Sequence, residues 1–479
     1  MAKSHVRLQD IPGLEPARWE ILEDRMLLSI TVYTAQELPV LNNIQGWQTV
    51  SDGRLNNSGD VAETLWSTTT APSGFYATHA CIQYHTGTLL DAGANLFGAA
   101  ANSTVIAVNN SGHLVGGGDS GFWYWNGSTT EAVQPFEEFP FDPTDTVEDM
   151  NDGNAVVGVC TNHQTGYHEA FLWRPGQAAA TPVGFLPGGN WSAANAINNN
   201  DVIVGYAARG GGGVRAFMAE GVGSLTELPS LGSGPEYTAI ASDINDNGLI
   251  VGYATEPTAQ GLFTDGVVWQ NGQIFELPWG PYVEGGNFPL AVNNQNQIVG
   301  YNVMGALAWD TIVGVNGTTF TFVKLDDRIV NHDDVPAMRM AVDINDAGQI
   351  LCSDDAGRLY LLTPFNDTIA PTAAIDLAQP VQTTGGPKYE FTIAYTDNGV
   401  LDTSTFDNND IVVTAPDGVT KLPAKIVKED AGPGVKGHSY VVTYSITPPG
   451  GTWDSADDGT YAISVNGDQV YDLSQNAAA

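Results

Sequence analysis

Basic residues are scarce in this chain of 479 residues: lysine and arginine number 17 against 54 acidic residues, a formal charge of -37. A field of that sign repels phosphate backbones and excludes nucleic acid as a partner. Cysteine is scarcer still. Cys81, Cys160 and Cys352 are odd in number and widely spaced, which argues against a disulfide framework or a thiolate zinc site. No run of roughly 18 apolar residues occurs, so no helical membrane span is encoded. The N-terminus lacks the basic start, apolar centre and small-residue cleavage site of a secretory signal. Catalytic motifs are also wanting. Gly118-Asp119-Ser120-Gly121 has the outline of a serine-nucleophile segment but no matching histidine segment. The four glycines at 210–213 lack the lysine and hydroxyl residue of a phosphate loop.

What the chain has is periodicity. One phrase recurs seven times: an apolar residue, Asn, Asn or Asp, any residue, a turn-former, any residue, then two apolar residues. Its asparagines are Asn56, Asn109, Asn151, Asn198, Asn245, Asn293 and Asn345, at intervals of 53, 42, 47, 47, 48 and 52 residues. Such intervals match four-stranded propeller blades and are too long for leucine-rich repeats. Three residues beyond each asparagine stand Gly59, Gly112, Asn154, Asp201, Gly248, Asn296 and Gly348, types that tolerate a left-handed backbone. A tight turn is therefore expected in every copy, capped by its own asparagine; a ring of ligand-binding amides is the other use for seven such residues. Apolar pairs such as Ile203-Val204 and Ile250-Val251 follow, as inner strands buried on both faces require.

A second element recurs after each such strand, for example Phe122-Trp123-Tyr124-Trp125, Ala170-Phe171-Leu172-Trp173 and Leu307-Ala308-Trp309. Aromatics at strand spacing are expected to pack between blades, with sugar stacking as the alternative. A third element, such as Leu225-Thr226-Glu227-Leu228, closes each unit except the last. The missing strand is expected at the other end of the array, at 30–38, so that pairing the two ends closes the ring and hides its edges. The expected fold is all-β, with a seven-bladed β-propeller at 30–364 followed by an immunoglobulin-like β-sandwich.

The alternation of an Ile-Asn-Asx-x-Gly-x-Ile-Val-Gly-Tyr phrase, best seen from Asn245 to Tyr253, with an Ala-Phe-Leu-Trp phrase resembles the HAF repeat of extracellular bacterial proteins. Copy one departs at Glu63 and copy seven at Cys352, where the others close on glycine. The resemblance implies an extracellular location and supplies no established reaction, so no catalytic residue is carried over. Within the N-terminal segment 1–29, Leu22-Glu23-Asp24-Arg25-Met26-Leu27-Leu28-Ser29 resembles the LEPR-XLL motif of large exported bacterial surface proteins, with Asp24 in place of its proline. That likeness implies export by a non-standard signal.

Pro364, Asn366, Asp367 and Pro371 punctuate a linker at 365–371. Beyond it, alternating runs at 389–395, 411–414, 424–428, 439–446 and 460–465 read as the short strands of a sandwich over 372–479. Tyr389-Glu390-Phe391-Thr392-Ile393, Gly450-Gly451-Thr452-Trp453-Asp454 and Val470-Tyr471-Asp472 resemble the bacterial immunoglobulin-like modules of surface and adhesion proteins. That likeness implies a spacer or link.

The surplus carboxylates either keep the chain solvated or, in part, bind calcium. The candidate ligands are Asp397, Asn398, Asp402, Asp407, Asn409 and Asp410, where a turn-rich connection can gather several oxygens. His332-Asp333-Asp334 and the acidic stretch 137–149 are weaker candidates, since neighbouring loop residues seldom converge on one ion. No other cofactor is expected. The function expected is non-enzymatic: an extracellular or cell-surface binding or scaffold protein that recognises a glycan or protein through propeller loops. The alternative is a propeller hydrolase or lyase acting on an extracellular polysaccharide.

Overall fold

The computed structural model describes residues 31–39, 47–70, 76–98, 101–119, 121–134, 136, 144–162, 165–258, 261–278, 286–314, 317–331, 334–377, 385–432 and 437–478. The LEPR-XLL-like segment, Ser120, 137–143, His332 and Asp333 lie outside them. The described chain is all-β apart from short helical turns and the helix Ala92–Phe97, which Asp91 caps by accepting from Ala94 N at 2.7 Å. None of its helices is long and apolar enough to cross a membrane.

Between Val32 and Phe365 the strands form seven four-stranded antiparallel sheets. Six use consecutive strands; in one of them Ser192–Ile197, Val202–Ala208, Val214–Glu220 and Thr226–Glu227 each pair with the next. The seventh takes Met338–Ile344, Ile350–Asp354 and Leu359–Phe365 in order and is completed by Val32–Glu37, paired from Val32 opposite Phe365 to Glu37 opposite Tyr360. The two ends of the repeat array thus share one sheet, in which Val32–Glu37 covers the edge of Leu359–Phe365.

The asparagine phrase makes the turn after each innermost strand. The residue three beyond it has φ of 82° at Gly59, 72° at Gly112, 60° at Asn154, 61° at Asp201, 78° at Gly248, 59° at Asn296 and 74° at Gly348. Asn198 shows how the turn is capped: its Oδ1 accepts from Asn200 N at 3.0 Å and Val202 N at 2.9 Å. The same side chain's Nδ2 donates to the main-chain oxygen of Asn245 in the following sheet at 3.0 Å. This donation runs from Asn56 to Asn109, Asn151, Asn198, Asn245, Asn293 and Asn345, and from Asn345 back to Asn56. A chain of donors that returns to its start places the seven sheets in a closed ring.

Two features fit the sheets to one another. The innermost strand slips register, for instance between Ala194 and Ala196 and between Ala241 and Asp243, which carries a carbonyl over the facing strand. A Cβ at Gly205 would lie 2.1 Å from Ala193 O and one at Gly252 2.1 Å from Ile240 O, so in these sheets the glycine makes room for the close carbonyl. Between sheets lie the aromatics of the second element. Trp173, Trp269 and Trp309 are buried, and the indoles of the last two donate to Pro229 O and Pro278 O of the preceding sheet.

The C-terminal residues build a four-stranded sheet, in the order Thr372–Leu377, Tyr389–Thr396, Ser439–Ile446 and Lys425–Ala431, and a three-stranded one with Ile411–Thr414 between Lys421–Pro423 and Ala462–Val465. Phe391, Ile393, Tyr395, Val413, Val442, Tyr444 and Trp453 form their common core.

Candidate functional site

The residue after each repeat asparagine lines one mouth of the ring. Asn57, Asn110, Asp152, Asn199, Asp246, Asn294 and Asp346 are linked main chain to side chain, each N–H donating to the next residue's Oδ1 and Asp346 N returning to Asn57 Oδ1. Amide side chains bridge the carboxylates: Asn199 Nδ2 donates to Asp152 and Asp246, and Asn294 Nδ2 to Asp246 and Asp346. These groups border a cavity of about 170 Å³ at the channel mouth. The anchoring asparagines beneath are at most 5% exposed and engaged in turn and inter-sheet bonds, as at Asn198.

Deeper in the channel the residue two before each asparagine alternates. Asp149, Asp243 and Asp343 stand in the third, fifth and seventh sheets, Ala107, Ala196 and Ala291 in the sheets between, and Arg54 in the first. Each aspartate clamps two sheets: Asp243 accepts from Ile244 N at 2.7 Å and Val292 N at 2.8 Å, Asp343 from Ile344 N and Leu55 N, Asp149 from Met150 N and Ile197 N. Burial, reinforced by the Asp149 charge, pushes the Asp243 carboxyl up to about 7. Burial raises Asp343 to about 6 against the opposing pull of Arg54. Through these main-chain N–H groups the carboxylates fasten neighbouring sheets to one another.

A second concavity of about 150 Å³ opens on the second sheet, at the other end of the strand Ser103–Val108 from Asn109. Phe97, Phe122 and Trp123 supply aromatic surface; Asn102, Asp119 and Glu131 supply polar groups. Phe97 is 37% exposed and leans on the buried Trp123 with ring centroids 5.7 Å apart. Asp119 is fixed by Asn102, accepting from its N at 2.9 Å and its Nδ2 at 3.1 Å, while Glu131 accepts from Gly176 N at 2.8 Å. A preset polar rim around an aromatic floor is the chemistry that holds a sugar ring or a small peptide turn.

The six C-terminal candidate ligands are spread among several local roles. Asp402 caps the turn Thr403–Thr405 through Ser404 N and Oγ; Asp407 binds both nitrogens of Asn409, whose carbonyl accepts from Asn466. Asp410 is buried and accepts from Tyr444 Oη at 2.8 Å and Asp407 N at 3.0 Å, and burial pushes its carboxyl up to about 6. Asp397 alone of the six belongs to a group of three carboxylates whose oxygens lie within 4.8 Å of one another; its companions are Asp367 and Asp472. Asn398 supports that group by donating to Asp367 Oδ1 at 2.8 Å. Asp367 and Asp472 are more than a hundred residues apart in the chain, and no local spacing pairs them. Phe97 was equally hidden, on a helix in an otherwise all-β pattern; the capping aspartate at 91 is its only local signal.

No family model matches the chain, and no curated protein matches it. Among solved structures, virginiamycin B lyase from Staphylococcus aureus is similar at 11% identity and a TM-score of 0.38, over 70% of this chain and 100% of that one. The extracellular domain of a hybrid two-component system from B. thetaiotaomicron is similar at 10% identity and a TM-score of 0.41, over 93% of this chain and 57% of that one. Trypanosoma rangeli sialidase is similar at 8% identity and a TM-score of 0.30, over 90% and 97%. At TM-scores of this size none of their activities transfers to this chain.

Proposed function

We propose that the chain is a non-enzymatic extracellular or cell-surface binding protein of bacterial type, in which a seven-bladed β-propeller of HAF-type repeats presents a glycan-binding pocket. In this reading each four-stranded sheet of 30–364 is a blade, 372–479 is an immunoglobulin-like sandwich serving as a link, and 365–371 joins them. The observation that carries the reading is the pocket of Phe97, Phe122 and Trp123 rimmed by Asn102, Asp119 and Glu131. Its polar groups are held by neighbours before any ligand arrives, which lowers the ordering cost of binding. The closed ring of sheets beneath it gives the rigidity such a site needs.

The test is a screen of the purified chain against immobilised surface glycans and polysaccharides, followed by calorimetry on the best ligand with Phe97→Ala. Loss of stacking is expected to weaken binding about fivefold or more, since aromatic contacts contribute on the order of 1 kcal/mol beyond the area they bury. Binding indifferent to Phe97→Ala, or no binding to any glycan, contradicts the proposal. Shortening of a polysaccharide in the same mixtures would favour the hydrolase or lyase reading instead.

A further inference from the structure

The three carboxylates of Asp367, Asp397 and Asp472 meet where the chain leaves the ring. Asp367 follows the strand Leu359–Phe365, Asp397 follows Tyr389–Thr396, and Asp472 lies in the closing segment of the chain. Asp367 is 6% exposed and Asp472 0%. Each is held by donors that leave one face free for the group. Asp367 Oδ1 accepts from Ile369 N at 3.0 Å and Asn398 Nδ2 at 2.8 Å; Asp397 Oδ2 accepts from Gly399 N at 2.7 Å; Asp472 accepts from Asn476 N and Nδ2, both at 2.8 Å. Asp367 Oδ2 and Asp397 Oδ1 are buried and have no hydrogen-bond partner among the described residues. None of the three takes part in an ion pair there.

Buried carboxylates that crowd together without a cation disfavour their own ionisation. Two agents can relieve the conflict, a shared proton or a metal ion. A proton joins two oxygens. Here three converge within 4.8 Å, the span that ligands 2.3–2.6 Å from a common calcium ion can occupy. Gly399 keeps the position open: a Cβ there would stand 2.0 Å from Asp367 Oδ2.

We propose that Asp367, Asp397 and Asp472 bind a calcium ion that fastens the connection 365–371 to the C-terminal module at its seam with the ring. All-oxygen, all-carboxylate donors suit a hard divalent cation, and neighbouring water or carbonyl oxygens complete the shell calcium prefers. The seam lies beside the site. Val32 and Val330 of the ring side cluster with Val400 of the module, against Phe365 and Leu473. Val400 O accepts from Leu473 N at 2.8 Å, which ties the same two segments that carry Asp397 and Asp472. Asn476 Nδ2 also donates to Asp367 O at 3.0 Å, drawing the chain end onto the connection.

The experiment is calcium titration of the chelator-stripped full chain by calorimetry, with melting curves in calcium, in magnesium and in chelator. The proposal expects binding in the millimolar range or tighter and a melting midpoint raised by calcium more than by magnesium. Asp397→Asn and Asp367→Asn are each expected to cut calcium affinity at least tenfold, and Asp407→Asn, outside the group, to leave it unchanged. Absence of a calcium effect on either readout overturns the proposal. So does calcium binding that survives both Asp397→Asn and Asp367→Asn. A variant Asp397→Asn that melts higher than the parent in chelator, with the parent indifferent to calcium, would assign the group to a shared proton.

Discussion

A carboxamide can accept and donate at once, and the ring uses both halves of it. At the buried Asn198 the oxygen holds the turn while the nitrogen reaches the next sheet. Asn198→Ala would remove the acceptor of two turn N–H groups and one of the donors to Asn245 O, which keeps Gly248 N. Its expected cost is about 2–4 kcal/mol, read from the urea midpoint. Asn199→Ala, at the exposed mouth, is expected to cost less than about 1 kcal/mol. The residue types of the turn were readable because only glycine, asparagine and aspartate tolerate its backbone; the bond to the neighbouring sheet was not, because no local pattern marks a partner about 47 residues away. Glu63 makes a second residue-scale case. It stands fully buried where five of the other copies carry glycine, its carboxylate oxygens lack partners among the described residues, and burial pushes it up to about 8 from an ordinary 4.5. The folded chain therefore holds this proton more tightly than the unfolded chain does, and stability falls as pH rises from about 4.5 to about 8. Glu63→Gln is expected to flatten that slope, gaining on the order of 3 kcal/mol at alkaline pH and little near pH 4 in matched denaturant melts. An unchanged slope would contradict it.

At the scale of elements, the ring depends on a strand borrowed from the start of the chain. Val32–Glu37 covers the edge of Leu359–Phe365 over six residue pairs. Truncation to residue 39 is expected to expose that edge and yield aggregation or loss of cooperative melting, followed by light scattering and circular dichroism. The bulged inner strands make a complementary prediction. Gly252→Ala would push a methyl group into Ile240 O and is expected to cost about 1–3 kcal/mol in a denaturant melt. The repeat period and the Ile-Val pairs made the strands legible in the sequence, because a two-residue apolar step after a turn has few other uses. Ala92–Phe97 escaped because six residues carry too little helical periodicity to detect, and with it went the Phe97 side of the pocket.

At the scale of the molecule, charge and burial pull together. A chain of formal charge -37 also holds Asp243 at about 7, Asp343 at about 6, Asp397 at about 7 and Asp410 at about 6, each raised chiefly by burial. Every one of these groups binds its proton more tightly in the folded chain. Without calcium, stability is therefore expected to decline as pH rises from about 4 to about 7, and the melting midpoint to be higher near pH 5 than near pH 8. The acidity that was plain in the composition could not locate these groups, since their shifts arise from burial. The rigid ring and the pocket on its second sheet together make a preformed binding site. Hydrogen–deuterium exchange of the full chain with and without its best glycan ligand tests it most directly. Slowed exchange is expected at Phe97, Asn102 and the strand Trp123–Trp125, with the asparagine turns unchanged; protection at those turns or in the C-terminal sheets, with none around Phe97, would contradict a binding site there.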